Sequence, residues 1–254
     1  MLLEGKKGLV LNVTNKNSIG WGIAQALADQ GAEVGVGAQN ERMLESVQKL
    51  VGDDDRFRAF QVDFDDEGQL TQLARDAAAC FGAIDFLVHS AAFAPREDLA
   101  GRFIDTSRDG FGVALEVSCF SLIALCKHLE PIMNDDASIM ALSYLGSSRA
   151  VPGYNVMGVA KAALEAAVRY LAVDLGQRGI RVNTLSPGPV NTVAARGVPG
   201  LLEKIDHVFK NSPLRRTFAQ AEVGSSAVYL ASDLSKAVTG QIIYIDSGYN
   251  FIAL

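Results

Sequence analysis

Short apolar runs rich in β-branched residues alternate with helical patterns along almost the whole chain. The predicted strands cover residues 7–13, 32–38, 57–62, 84–90, 137–144, 180–186 and 241–246. The predicted helices lie between them, near residues 20–31, 40–51, 66–81, 108–133, 154–176 and 219–231. Because short apolar strands that are joined by helices pair in parallel, this order predicts an α/β fold, a doubly wound parallel sheet of about seven strands with helices on both faces.

No linker, repeat or low-complexity block interrupts this pattern, so residues 1–254 are predicted to form a single domain. A chain of 254 residues with 49% hydrophobic content can build one large core. Only residues 191–218 depart from the alternation, between the sixth predicted strand and the last predicted helix. Their position and length predict a helical lid over a substrate site.

The composition argues against several classes of function. A formal net charge of −6 argues against a nucleic-acid-binding surface and gives no reason to expect membrane binding. No run approaches 18 uninterrupted apolar residues, and the first residues lack the pattern of a signal peptide. The cysteines have no metal-like spacing and the histidines are scattered, which predicts no metal site and a reducing, cytoplasmic location. These residues are Cys80, Cys119 and Cys126, and His89, His128 and His207.

Two predicted helical segments, residues 111–129 and 155–175, are apolar around most of their circumference. A helix that covers one face of a sheet needs apolar residues on one stripe only. The second apolar face therefore predicts cover by another subunit. We expect a homo-oligomer, most simply a homotetramer with two-fold axes.

Small and polar residues follow the first predicted strand, at the edge where open parallel sheets bind their ligands. Ser18, Gly20 and Gly22 open a helix whose first N–H groups can hold a pyrophosphate. Asn12 precedes them in a turn where glycine is usual, and asparagine tolerates left-handed backbone better than other side chains do. These residues predict the phosphate end of a nucleotide crevice.

The next three strand ends extend the same crevice. Gln39 is near the expected adenosine ribose, and Asp63 is placed to meet the adenine amino group. The stretch at residues 89–95 ends the fourth strand with small residues, as a backbone beside a ribose requires. A 2′-phosphate would find only Arg42 as a nearby cation. The sequence therefore predicts NADH as the coenzyme, preferred over NADPH by at least about tenfold.

Tyr154 and Lys161 stand seven positions apart in an otherwise apolar stretch, "YNVMGVAK". At 100° per residue, seven steps are nearly two full turns, so both side chains are predicted to leave the same face of a helix. A phenol and an ammonium on one face of an apolar segment indicate that a ligand lies against them.

The order of these motifs resembles the short-chain dehydrogenase/reductase superfamily, whose fold is Rossmann-like. It resembles more narrowly the enoyl-[acyl-carrier-protein] reductases of type II fatty acid synthesis, over nearly the whole chain. The most specific stretches are "SIGWGIA", "HSAAFAPRE", "LSYLGSSRAVPGYNVMGVAKAALEA", "RVNTLSPGPVNTVAA" and "PLRRT". Ordinary members of the superfamily pair tyrosine and lysine four apart. Here Gly158 stands at that position and the lysine is Lys161, a spacing typical of the enoyl reductases.

The resemblance implies hydride transfer from NADH to the β-carbon of a trans-2-enoyl thioester on acyl carrier protein. Tyr154 would stabilise the enolate, Lys161 would hold the nicotinamide ribose, and Tyr144 matches a second active-site tyrosine. The wider spacing suits this chemistry, because three extra helical residues move the tyrosine about 4.5 Å towards the distant thioester oxygen. The implied cofactor contacts are Asn12, Ser18, Ile19, Gln39, Asp63, Phe64, Ser90, Ala91, Ala92, Lys161, Val190 and Thr192. The implied substrate contacts are Phe93, Ala94, Tyr144, Tyr154, Met157 and Ala194.

The chain also departs from the family pattern. Asn12 and Ala92 replace glycines, Pro187 is closer to ordinary superfamily members, and the lid is only weakly basic, with Glu203 beside Lys204. Two alternatives therefore stay open at this point. One is a carbonyl or 3-ketoacyl-thioester reductase of the same superfamily, and the other is a catalytically inactive nucleotide-binding regulator.

Overall fold

The computed structural model describes residues 1–192, 195 and 200–252. Its seven strands form one parallel sheet in the order β3-β2-β1-β4-β5-β6-β7. The strands are β1 Lys7–Leu11, β2 Glu33–Ala38, β3 Phe57–Gln61, β4 Ile84–His89, β5 Met133–Leu142, β6 Arg181–Pro187 and β7 Ile242–Ile245. The predicted fold class, a doubly wound parallel sheet, is confirmed.

Helices cover both faces of this sheet. Those in the described residues are α1 Ile19–Asp29, α2 Glu41–Val51, α3 Glu67–Phe81, α4 Arg96–Leu99, α5 Arg108–Leu115, α6 Ser121–Leu129, α7 Val156–Leu175, α8 Leu201–Asn211 and α9 Gln220–Ala231. One apolar core packs α3, α6 and α7 against the sheet, and a second packs α1, α2 and α9 against its other face. Burial on two sides explains why the strand sequences read as continuous apolar runs.

The predicted helix near residues 108–133 is interrupted. α5 ends at Leu115, a π-helical turn follows at Glu116–Phe120, α6 continues from Ser121, and a 3₁₀ turn spans Glu130–Ile132. Met133, predicted as helical, begins β5 and pairs with Ile84 of β4. The sequence prediction was wrong here because apolar periodicity cannot distinguish a continuous helix from one that contains a single wider turn.

The helical stretch Arg108–Ile132 is long and apolar enough to cross a membrane by length and composition, with a mean hydropathy of 1.6 in its most apolar window. Only 44% of that window is buried inside the protein. Its outer side exposes Phe111, Phe120 and Ile123, and the outer side of α7 exposes Tyr170 and Val173. The apolar residues that the sequence placed around most of the circumference of both helices therefore form an uncovered apolar surface in the structure.

Helix α8 lies within residues 201–211, inside the segment predicted as a lid. The short helix α4, by contrast, was not predicted, because four residues are too few for a periodic pattern. Both helices follow strands at the carboxyl edge of the sheet, so they border the region where the site was expected.

Candidate active site

A cavity of about 420 Å³ opens over the carboxyl ends of the central strands. Its lining comes from the segments that follow β1, β4, β5 and β6, together with α7 and α8. The lining residues are Asn12, Thr14, Ser18, Ile19, Gly20, Ser90, Ala92, Phe93, Ala94, Arg96, Leu99, Leu142, Ser143, Tyr144, Tyr154, Met157, Lys161, Pro187, Gly188, Pro189, Val190, Thr192, Ala195, Leu201 and Lys204. Most of the residues predicted for the site therefore meet in one cleft.

The turn after β1 brings the N-terminus of α1 to this cavity. Asn12 has a φ of 63°, the left-handed conformation that its side chain allows, and its amide donates to the Ser90 carbonyl at 3.3 Å. Ser18 caps α1 by accepting a hydrogen bond from the Trp21 N–H. A Cβ on Gly20 would lie 2.9 Å from the Ser90 hydroxyl oxygen, so glycine permits the close approach of α1 to the loop after β4.

Gly22, predicted to belong to the same phosphate turn, serves packing instead. A Cβ at this position would lie 2.3 Å from Cβ of Gln220, the first residue of α9. A Cβ on Gly224 of α9 would likewise lie 2.6 Å from Cβ of Ala26 of α1. The two glycines therefore let α1 and α9 pack in close contact.

Tyr154 and Lys161 both line the cavity, but they do not both belong to the helix. α7 begins at Val156, because Gly153 has a φ of 73° and Asn155 a φ of 39°. Tyr154 lies in the turn before the helix, and its carbonyl accepts from the Met157 N–H at 3.0 Å. Both side chains reach the same cavity, whereas the assignment of residue 154 to the helix was wrong.

Lys161 is buried beneath the cleft, with only 3% of its surface exposed. Its Nζ donates to the Leu142 carbonyl at 2.7 Å and to the Ala91 carbonyl at 3.4 Å. Burial lowers the pKa of Lys161 to about 8, an effect that the nearby Cys119 and Glu165 side chains oppose. The amine is therefore positioned by the ends of β4 and β5 and stays mainly charged at neutral pH.

Tyr144 follows β5 and packs edge-on against Tyr154, with ring centroids 4.8 Å apart. Burial raises the pKa of Tyr144 to about 12. Burial and the neighbouring Tyr144 raise the pKa of Tyr154 well above its usual range. Both phenols therefore stay protonated at neutral pH and can donate hydrogen bonds into the cavity.

The substrate side of the cleft is apolar. Phe93 is 54% exposed at its edge, and Ala94 and Met157 line it more deeply. Ser118, in the π-helical turn, accepts a hydrogen bond from the Phe93 N–H at 3.1 Å. Val190 and Thr192 are buried on the far wall, while the predicted contact Ala194 lies outside the described residues.

A second group of predicted residues lies away from the cavity, at the ends of β2 and β3. The Gln39 amide approaches the Asp63 carboxylate at 3.5 Å, so the fold brings these two side chains together. Phe64 packs with its ring centroid 6.0 Å from that of His89 and contributes to the core. Arg42 is exposed in the first turn of α2.

Several residues of the site were not predicted. Thr14, Arg96, Leu99, Ser143 and Leu201 line the cavity. Glu165 is 7% exposed and accepts a short hydrogen bond from the Ser143 hydroxyl. His89 is fully buried, and burial lowers its pKa to about 3. Glu165 could have been found in the sequence, because it is a carboxylate four residues after Lys161 on an apolar helix. The loop residues that line the cavity could not, because their positions depend on tertiary packing.

In the described part of the chain, no three His, Cys, Asp or Glu side chains are grouped as a metal site.

A doubly wound sheet with a cleft across its carboxyl ends and a helix N-terminus at that cleft is the arrangement of dinucleotide-binding proteins. A family model described as enoyl-(acyl carrier protein) reductase matches residues 13–250. The chain is 44% identical over 253 residues to enoyl-[acyl-carrier-protein] reductase [NADH] 1 of Rhizobium meliloti (strain 1021), covering 100% of this chain and 93% of that protein. It is 46% identical over 260 residues to the NADH enoyl-[acyl-carrier-protein] reductase of Nostoc sp. (strain PCC 7120), with 99% of each covered.

Solved structures agree with these relatives. The Bacillus cereus enoyl-acyl carrier protein reductase with NADP+ and indole naphthyridinone superposes with a TM-score of 0.97 at 44% identity, over 100% of this chain and 99% of that one. The enzyme of Anaplasma phagocytophilum in complex with NAD gives a TM-score of 0.95 at 41% identity, over 100% of this chain and 97% of that one. The chain belongs to the enoyl-(acyl carrier protein) reductase family, which confirms the resemblance seen in the sequence.

Proposed function

We propose that this chain reduces the 2,3-double bond of trans-2-enoyl-[acyl-carrier-protein] thioesters with NADH, as a step of fatty acid elongation. The observation that carries the proposal is the placement of Tyr154 and Lys161, seven residues apart, in one cavity over the carboxyl ends of the sheet. The NADH-dependent relatives that align over the whole chain support the same reaction and coenzyme.

The residues of the cleft fit a dinucleotide. The left-handed Asn12, the Ser18 cap and the close approach at Gly20 leave room at the N-terminus of α1 for a pyrophosphate, with Ile19 beside it. Gln39 and Asp63 would hold the adenosine, next to Phe64. Lys161, Ser90, Ala91, Ala92, Val190 and Thr192 would surround the nicotinamide ribose. NADH, when bound, supplies the hydride that the β-carbon of the substrate accepts.

The side chains of the protein position the substrate and the coenzyme and set the charge around the reacting atoms. The Tyr154 hydroxyl donates to the thioester oxygen and stabilises the negative charge that appears there, an oxyanion-type role. Its raised pKa keeps the proton on the phenol while it does so. Lys161 holds the ribose hydroxyls and keeps the local potential positive. Tyr144 fixes the ring of Tyr154 by its edge-on contact.

The surroundings of Tyr154 are largely apolar. Phe93, Ala94 and Met157 form an apolar wall on which an acyl chain can lie, and Ala194 is proposed to join it. Leu201 of α8 borders the same cavity, which supports the proposal that residues 191–218 act as a lid. An apolar, enclosed site strengthens the hydrogen bond to the enolate oxygen, because the effective dielectric constant is low there.

The partners follow from the reaction and from the surface. Acyl carrier protein delivers the substrate, and the exposed apolar sides of α5, α6 and α7 pair between subunits of a homotetramer. The three cysteines that the structure leaves unpaired suit a reducing, cytoplasmic location.

Analytical ultracentrifugation tests the assembly, since a species of 27.0 kDa at micromolar concentration would contradict the tetramer.

The reaction is tested by following NADH at 340 nm with two substrates of similar size, a crotonyl thioester and an acetoacetyl thioester. We expect absorbance to fall with the crotonyl substrate only. A fall with acetoacetyl alone would make the chain a ketoacyl reductase, and no fall with either substrate, despite measurable NADH binding, would make it a nucleotide-binding regulator.

A further inference from the structure

A buried carboxylate lies on the same helix as the lysine that the proposed mechanism uses. Glu165 is one helical turn after Lys161 on α7, so the two side chains share a face of that helix. Both are almost fully buried, with 7% and 3% of their surfaces exposed. A buried charge is costly unless it is paired or hydrogen-bonded, so this carboxylate needs a reason to be there.

The contacts of the two residues converge on one point, the end of β5. Lys161 donates to the carbonyl of Leu142, and the hydroxyl of the next residue, Ser143, donates to Glu165. The Ser143 N–H donates to the Leu185 carbonyl of β6 at 2.8 Å. One short segment of backbone is therefore fixed by the lysine, by the carboxylate and by the adjacent strand.

The charges around the lysine show what the carboxylate adds. The titratable groups that face Lys161 are Cys119 from the π-helical turn, His89 from β4 and Glu165 from its own helix. His89 is neutral because burial and the Lys161 charge depress its pKa, and burial raises the pKa of Cys119. Tyr154, which shares the cavity, also stays protonated. Glu165 is the carboxylate among these neighbours, and its electrostatic effect raises the pKa of Lys161 against the effect of burial.

We propose that Glu165 is a positioning residue for Lys161. With Ser143 it fixes the strand end that receives the amine, and its negative charge keeps that amine protonated at neutral pH. The proposal rests on the role in NADH binding given to Lys161 above. Glu165 itself touches neither coenzyme nor substrate in this account.

The test is the dissociation constant for NADH, measured by fluorescence titration from pH 6 to pH 9. The wild-type protein should bind more weakly as the pH rises through about 8, because Lys161 loses its proton there. In Glu165→Gln, which keeps an acceptor for Ser143 but removes the charge, this weakening should begin at lower pH. We expect binding about fivefold weaker than wild type at pH 8 and equal to wild type at pH 6.

Two further variants make the result specific. Ser143→Ala leaves the carboxylate without its donor and should shift the profile in the same direction by a smaller amount. It also carries the test should Glu165→Gln not fold. Asp174→Asn removes a carboxylate from the exposed side of the same helix and should leave the profile unchanged.

The outcomes separate this proposal from the function on which it rests. If Lys161→Ala kept the wild-type affinity and pH dependence, the role of Lys161 in NADH binding would be wrong. If Lys161→Ala lost the pH dependence while Glu165→Gln and Ser143→Ala kept the wild-type profile, Glu165 would be only a structural residue. A lower melting temperature without a shifted profile would lead to the same conclusion.

Discussion

The two ends of the proposed nucleotide crevice are built differently. At the buried end, defined by Tyr154 and Lys161, each polar group is enclosed and fixed by other elements of the fold. At the more exposed end, defined by Gln39 and Asp63, the two half-buried side chains make one long contact of 3.5 Å with each other. Burial shifts the pKa values of Tyr144, Tyr154 and Lys161 at the first end, so the chemistry should belong there, while the second end contributes recognition.

The largest effect on binding is expected from Lys161→Ala. The variant loses charge-assisted hydrogen bonds to the ribose in a site with little water, so the dissociation constant for NADH should rise about 10- to 100-fold at pH 7. Fluorescence titration measures it, with circular dichroism as the control for folding. A change of less than about twofold would show that the buried end does not anchor the coenzyme.

His89 should give the buried end its acid sensitivity. The folded protein holds this ring neutral with a pKa of about 3, whereas the unfolded chain protonates it below about 6.5. Its contribution to stability is therefore complete above pH 6.5 and is lost as the pH falls towards 3. In His89→Gln, the urea midpoint should fall less between pH 7 and pH 4 than in the wild type. His207→Gln, on the exposed side of α8, should behave as the wild type does.

Coenzyme choice should be decided at the exposed end. Gln39 brings no charge to a 2′-phosphate, and Arg42 is exposed on α2. We expect kcat/KM for NADH to exceed that for NADPH by at least about tenfold, or about 1.4 kcal/mol. Equal values would mean that Arg42 reaches the phosphate, and Arg42→Ala would then remove the NADPH activity selectively.

The smallest effect is expected from Asp63→Asn. The side chain keeps its shape but exchanges one carboxylate oxygen for an amide, which weakens its hydrogen bonds with the Gln39 amide and the Asp65 N–H. This corresponds to about fivefold weaker NADH binding, or about 1 kcal/mol. The pH profile of binding should keep its wild-type shape, unlike that of the Lys161 variant. A shift in that profile would mean that the two ends are electrostatically coupled.

The same contrast explains what the sequence could predict. The strands could be predicted because both faces of the sheet are buried, which makes their sequences continuous apolar runs. Lys161 could be predicted as a site residue because it is a charged residue in an apolar helix. The turn that removes Tyr154 from α7 depends on backbone at Gly153 and Asn155, which periodicity does not record. The π-helical turn was not predicted because apolar periodicity does not distinguish it from a continuous helix. The partner of Glu165 was not predicted because Ser143 lies on another element of the fold.

The central claim is that Tyr154 acts in chemistry and Lys161 in binding, and Tyr154→Phe tests it most directly. The variant keeps the ring and its contact with Tyr144 but cannot donate to the thioester oxygen. We predict that kcat/KM for a crotonyl thioester falls about 10²- to 10³-fold while the dissociation constant for NADH stays within about twofold of wild type. Loss of NADH binding in Tyr154→Phe, or full activity without the hydroxyl, would contradict the account.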